Sequence, residues 1–433
     1  MQDYVMYQIA AALVKDGVCK KSYADIVAAL TPAYFPEHYR FGGVAKPNTS
    51  PGKVDGPTMF VTANPGTYPG FDNHSVGVNE VALFETTDNG ATWNKWVPIS
   101  DCCDAVNIPE EPTPGPDLKQ PLTFEALNDN TTINFHYNGD PGDEKTIEVS
   151  TDGGQTWTEK TASAGGTALA TLGAGEKLLV RGNNSAYSDN DGFQNFFHAT
   201  GDAYVYGNIM SLVSSEGFDE LDEVGENAFV FLFCDWGRGF SGAWLRSKEG
   251  EPLLLPATTL AMSCYSRMFS GCTGLTEAPE LPATTLAVGC YSGMFFGCTG
   301  LTEAPELPAT TLAEGCYAEM FSGCTGLTEA PELPATTLAV HCYAVMFAGC
   351  TCLTEAPELP ATTLAEGCYS GMFSGCMNLA YIKALFTTTP SGMYTAGWVL
   401  GVAANGTFVK SADATWNVTG DNGIPSGWTV ETA

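Results

Sequence analysis

The chain has 433 residues, long enough for roughly two to four domains that each bury a core of their own. Its 49 acidic against 18 basic side chains give a formal net charge of −31, which repels polyanions and excludes DNA or RNA as a general partner. No stretch offers the roughly 18 uninterrupted apolar residues of a spanning helix, so no membrane insertion is expected, and the start Met1-Gln2-Asp3-Tyr4 lacks the basic region of a secretory signal.

Residues 1–36 predict two short helices that form a docking element. The first carries Val5, Ile9, Ala12 and Leu13 on one side; the second opens at Ser22 with Asp25 three positions on and stops before Pro32. Residues 37–105 change to short extended runs, such as Thr58–Thr62 and Val81–Glu85, divided by Gly, Pro and Asn, which predicts a small β domain. Residues 106–118 contain Pro109, Pro112, Pro114 and Pro116 and read as an extended linker. Residues 119–210 alternate apolar and polar positions at strand spacing and predict a β-sandwich.

Each β domain carries one similar turn, built on Asp88, Gly90 and Trp93 in the first and on Asp152, Gly154 and Trp157 in the second. Both resemble the Asp-box hairpin found in sialidases and many other β proteins. There the carboxylate accepts backbone N–H groups, glycine supplies a positive φ and tryptophan packs beneath. The chain offers neither the arginine cluster nor the nucleophile of a sialidase, so the turns are read as structural.

From Leu255 the sequence repeats every 26 residues, with units starting at Leu255, Leu281, Leu307, Leu333 and Leu359. A fixed period of this length marks a stacked array in which each unit buries its apolar face against its neighbours. Leu286, Cys290, Tyr291, Met294 and Phe295 fall at helical spacing and predict a core-facing helix of about three turns. The Thr pair before them marks its start, with a capping box where Thr311 meets Glu314, and Gly297 is placed as its C-cap. The following Leu301–Pro305 is read as a short strand. The repeating cysteines recur with the core positions, so they are expected to be reduced, buried and hydrophobic in role, with oxidation or metal binding as the alternative.

Two acidic columns recur along the array, Glu277, Glu303, Glu329 and Glu355 in one and Glu280, Glu306, Glu332 and Glu358 in the other. Stacked like charges repel, so these ladders are either solvated or bind a cation or a basic partner. Residues 211–254 contain a degenerate entry unit in which Phe229 and Phe233 stand where Tyr265 and Phe269 stand in the first full repeat. The array runs over 255–380, and residues 381–433 predict strands that cap it. The fold class expected is therefore multidomain: a helical element, two β domains, and an α/β leucine-rich-repeat-type solenoid with a β cap. No cofactor is implied.

The repeat Leu-Pro-Ala-Thr-Thr-Leu-Ala…Met-Phe-x-Gly-Cys-Thr-x-Leu-Thr-x-Ala-Pro resembles the BspA-type leucine-rich repeats of gut Bacteroidales surface proteins and of their phages, over about residues 204–433. The segment from Phe41 to Tyr68 is similar to modules of fibre proteins from such phages, crAss-like phages among them. Together the resemblances imply a virion head or tail fibre, homotrimeric as such fibres usually are, although no heptad run supports a coiled coil. They further imply an N-terminal end that docks on capsid or tail proteins and repeats displayed towards a host-surface or gut glycan or protein. A bacterial surface adhesin and a polysaccharide-degrading fibre enzyme are the alternatives.

Overall fold

The structure, a computed structural model, describes residues 117–189, 194–234 and 242–433 together with six strands between residues 40 and 99. The expected N-terminal helices, the first Asp-box-like turn (Asp88, Gly90, Trp93) and most of the proline-rich segment lie outside the described residues. The chain divides between Pro114 and Gly115 into two compact units.

In the first unit, strands β1 (Arg40–Val44), β2 (Thr58–Thr62), β5 (Val81–Thr86) and β6 (Asn94–Ile99) form one sheet in the order β1-β2-β5-β6. Strands β3 (Gly66–Tyr68) and β4 (His74–Val76) pair antiparallel beside it in sequence. Only β1 and β2 run parallel; β2 pairs antiparallel with β5, and β5 with β6, which follows it in the chain after a connection short enough for an antiparallel return.

The second unit begins with two facing sheets. One contains β7 (Leu122–Ala126), β9 (Thr146–Ser150), β10 (Thr158–Thr161), β12 (Lys177–Gly182) and β14 (Ala203–Asn208), in the order β10-β9-β12-β7-β14. The other is β11 (Thr167–Leu172), β8 (Thr131–Asn138) and β13 (Gln194–Ala199), in the order β11-β8-β13. Phe124, Phe135, Leu178, Val180 and Phe197 are fully buried between them, and alternate positions of β12 face outward, as the period of two demands. Two short strands, β15 (Leu245–Arg246) and β16 (Leu253–Leu254), add in parallel to β14 and lead the chain into the repeats.

The repeats contain no helix; no α-helix occurs anywhere among the described residues, which corrects the α/β expectation. Each predicted helix is instead a run of tight turns with a left-handed residue at every fourth position. In the second repeat these are Gly289, Gly293 and Gly297, at φ of 58°, 59° and 69°. Gly297 is thus the third member of a series and not a helix C-cap.

The hydrogen bonds show why the pattern is stable. Gly289, Tyr291, Gly293, Phe295 and Gly297 donate their N–H groups to Glu314, Cys316, Ala318, Met320 and Ser322 of the next repeat, over 2.7–3.0 Å. The N–H groups between them, from Cys290 to Cys298, close turns onto the carbonyl three residues back, over 2.9–3.3 Å. Every second donor therefore serves the neighbouring coil and every other one serves its own, and the buried backbone is satisfied without a helix.

Side chains follow the same four-residue step. Tyr265, Tyr291, Tyr317, Tyr343 and Tyr369 stack with ring centroids 5.8–6.1 Å apart. Phe269, Phe295, Phe321, Phe347 and Phe373 form a second ladder at 5.5–5.8 Å. The ladder cysteines are buried with free thiols, and those of the second column donate across coils, as Cys298 Sγ does to the Phe269 carbonyl at 3.1 Å. A small side chain with a weak donor fits that position, where the aromatic rings leave little room.

The array is closed at both ends by apolar residues. Phe229 stacks on Tyr265 at 5.6 Å and Phe233 on Phe269 at 5.5 Å, and Tyr187 and Phe197 of the sandwich meet the same two phenylalanines at 6.3 Å. The core is continuous from Leu122 to Trp428. At the far end β17 (Tyr381–Ala384), β18 (Thr407–Lys410) and β19 (Thr429–Thr432) form a parallel sheet. Trp398, Trp416 and Trp428 each donate an indole N–H to a backbone carbonyl over 2.7–3.1 Å, so their burial leaves no orphan donor.

A charged cluster ties the sandwich to the entry segment. Lys248 Nζ and Tyr206 Oη both donate to Glu125 Oε2 at 2.7 Å, Lys248 also pairs with Glu251 at 2.8 Å, and Lys177 stands 3.5 Å from Glu125. Burial pushes the Glu125 carboxyl up, but the bonds from Lys248 and Tyr206 and the two lysine charges outweigh it and hold the carboxyl below its ordinary value near 4.5. A depressed carboxylate contributes stability that is present above the unfolded pKa and lost as pH falls through the folded one. The wild type is therefore expected to exceed Glu125→Gln in stability at neutral pH, with the difference shrinking below pH 4.5 in denaturation curves run across the acid range.

Candidate functional site

The segment between turn runs alternates inward and outward side chains. In the second and third repeats Leu301, Pro305, Leu307 and Ala309 are buried, while Thr302, Glu303, Glu306, Thr310 and Thr311 are exposed. The prolines hold the path extended and remove donors that would otherwise need partners. Coil follows coil in parallel register, with isolated bridges between Glu303 and Glu329 and between Thr285 and Thr311. Each outward position thereby becomes a column.

All eight glutamates of the two predicted columns are exposed. Near the start of the array the Ser247 hydroxyl accepts the N–H groups of Thr276 and Glu277, both at 3.1 Å. At the far end Lys383 Nζ pairs with Glu358 at 2.8 Å, and that hydrogen bond raises the lysine pKa. Between these ends Thr276, Glu277, Thr302, Glu303 and Pro305 line a shallow open depression. Among the described residues no group of three or more His, Cys, Asp or Glu side chains is gathered to hold a metal ion.

The turn face is different in character. Its glycines keep it low, and the position before the first left-handed residue forms a column of Met262, Val288, Glu314, Val340 and Glu366, aligned by hydrogen bonds such as Gly289 N–H to the Glu314 carbonyl at 2.9 Å. All five are exposed. Arg267 reaches across Gly293 to pair with Glu319 two coils away, and its guanidinium lies 5.2 Å from the Phe296 ring centroid. The Gly293 position must be bare for this, because a Cβ there would stand 2.9 Å from Arg267 Cγ.

The second Asp-box-like turn is placed in the hairpin between β9 and β10. Asp152 Oδ1 accepts the N–H groups of Gln155 at 3.0 Å and Thr156 at 2.9 Å, and Thr156 Oγ1 donates to Oδ2 at 2.6 Å. The Thr156 bonds, side chain first, hold the Asp152 carboxyl far below the usual carboxylate range. Gly153 and Gly154 have φ of 74° and 86°, and Trp157 donates to the Gly154 carbonyl at 3.1 Å under the Arg181 guanidinium. The carboxylate is consumed by its own loop.

The residues that sequence reasoning assigned elsewhere are the Thr pairs. They cap nothing, since no helix follows; Thr258 and Thr259, Thr284 and Thr285, and their counterparts in the later coils are all exposed. Their recurrence at every coil without an internal role was the available signal. No protein-family model matches the chain, and no curated protein or solved structure matches it either.

Proposed function

We propose that this chain is a non-enzymatic display and adhesion protein of a virion fibre. Its N-terminal region docks on capsid or tail proteins, and its repeats form a leucine-rich-repeat-type solenoid turned outward to bind a host-surface or gut glycan or protein. The observation that carries the adhesive part is the uniform core beneath repeated outward columns. Five near-identical coils present the same exposed residues in register, so a contact too weak to hold alone is multiplied along the array. The virion part rests on the resemblance of the repeats and of the Phe41–Tyr68 segment to phage fibre modules. Gold-labelled antibody raised against the coils is expected to decorate intact particles. Particles that carry no label while the disrupted virion does would overturn the assignment.

A further inference from the structure

The Thr pairs lie on two adjacent exposed columns: Thr284 with Thr285, Thr310 with Thr311, Thr336 with Thr337, and the equivalents in the first and last coils. The Thr285–Thr311 bridge and the Leu286 N–H bond to the Thr311 carbonyl at 3.1 Å set their register. None of these ten hydroxyls bonds to another described residue. In the next layer Thr387 Oγ1 donates to the Thr362 carbonyl at 3.2 Å, which closes the column at that end. Beside four of the five pairs stands an exposed glutamate, such as Glu306 before Thr310 with Pro308 between; the first pair has Leu254 in that place.

We infer that these columns form a ledge for an extended, neutral, 1,4-linked polysaccharide that runs along the stack with one sugar ring per coil; the inference rests on the adhesive reading above and names its ligand class. Where neighbouring coils bridge in parallel register, as at Thr285 and Thr311, paired backbones lie about 4.8 Å apart, closer than the 5.5–6.1 Å between the stacked rings of the core. A ligand lying along them meets the same groups on every coil only if its own repeat is close to that spacing. An extended peptide rises about 3.3 Å per residue and falls out of step within a few coils. A nucleic acid is repelled by the net charge of −31. A pyranose chain with diequatorial 1,4 linkages rises by nearly one coil per ring.

The chemistry agrees with the spacing. Sugar hydroxyls both donate and accept, and each coil offers two threonine hydroxyls that do the same, joined beside four of the five pairs by a carboxylate that accepts. Threonine methyl groups and the proline ring supply apolar contact for the faces of the rings. The two β-branched side chains also lose little rotamer freedom on binding. Each coil adds a small increment, so affinity is expected to climb with chain length.

The test uses the full chain with β-1,4-linked glucose, mannose and N-acetylglucosamine oligosaccharides of increasing length, with binding followed by calorimetry. Affinity for at least one series is expected to rise roughly two- to tenfold per added ring and to level off once the oligosaccharide spans the five Thr pairs. The variant carrying Thr310→Val, Thr311→Val, Thr336→Val and Thr337→Val keeps the shape and β-branching of each side chain and is expected to retain its melting temperature while losing at least about tenfold in affinity. Length-independent binding, binding unchanged in the variant, or no binding to any of the three series overturns the inference. Adherence of the labelled chain to host cells is measured in parallel. If wild type and variant adhere equally, the ledge is refuted while the adhesive reading stands; if neither adheres, the adhesive reading itself falls.

Discussion

Phe321→Ala is expected to destabilise the coil stack by about 3 to 5 kcal/mol, the largest effect of any single truncation in the repeats. The ring is completely buried and lies between Phe295 and Phe347, 5.7 Å from each, so the loss opens a cavity at two coil interfaces at once. In a stacked array stability is close to a sum of unit and nearest-neighbour contributions, and a central truncation weakens both neighbours. Phe321→Leu keeps most of the volume and is expected to cost much less, under about 1.5 kcal/mol if the neighbours repack. Denaturant titration followed by tyrosine and tryptophan fluorescence separates the two; equal losses for both variants would mean that the ring ladder is not what holds the coils together.

Thiol chemistry offers a second large contrast. Burial pushes Cys316 and Cys368 up to about 11 and Cys324 and Cys376 up to about 12, from an ordinary value near 9, whereas Cys352 is exposed. A rise of two pH units alone cuts the reactive thiolate about a hundredfold at pH 8, before restricted access is counted. Alkylation of the native chain with iodoacetamide, read by peptide mass mapping, is therefore expected to label Cys352 at least about a hundredfold faster than the ladder cysteines. Adding denaturant should bring all of them to similar rates. Comparable native labelling of Cys316 and Cys352 would show that the coils open far more often than a continuous core permits.

Much of the array was legible in the sequence because its signals are local or periodic. A period of 26 residues and the apolar positions within it identify which side chains are buried, and Leu286, Cys290, Tyr291, Met294 and Phe295 are all in the core. Phe229 and Phe233 announce the entry coil by spacing alone, and Asp152 announces its turn because all the chemistry lies within a few residues. The conformation of the repeat was not legible from the same positions. Apolar residues at i, i+4, i+5, i+8 and i+9 fit a helix of 3.6 residues per turn and a succession of four-residue turns equally well over so short a span.

What separates the two is glycine. Gly289, Gly293 and Gly297 recur at a strict step of four, and each would cost a helix about 1 kcal/mol. The signal is blurred because Ser263, Arg267, Glu319, His341 and Val345 occupy the same left-handed positions in other coils, at φ of 52–59°. Val345 is the most strained type among them, since its β-branch crowds the backbone there. Once the helix is gone the Thr pairs lose their capping role, and their exposure in every coil becomes the feature that needs a purpose. The acidic columns are visible in the sequence because Glu277 and Glu280 recur with the period, and all eight of these glutamates are exposed.

The substitution Gly315→Ala tests the four-residue-turn architecture, and with it the register of every outward column, most directly. Gly315 has φ of 58°, and a Cβ built there meets no atom within 4 Å, so the change isolates backbone conformation from packing. In a run of left-handed turns the alanine is expected to cost about 1 to 2 kcal/mol in denaturant titration. In the helix that the apolar spacing suggests, the same change would add stability by about 1 kcal/mol. A loss supports the stacked turns described here; a gain would contradict them.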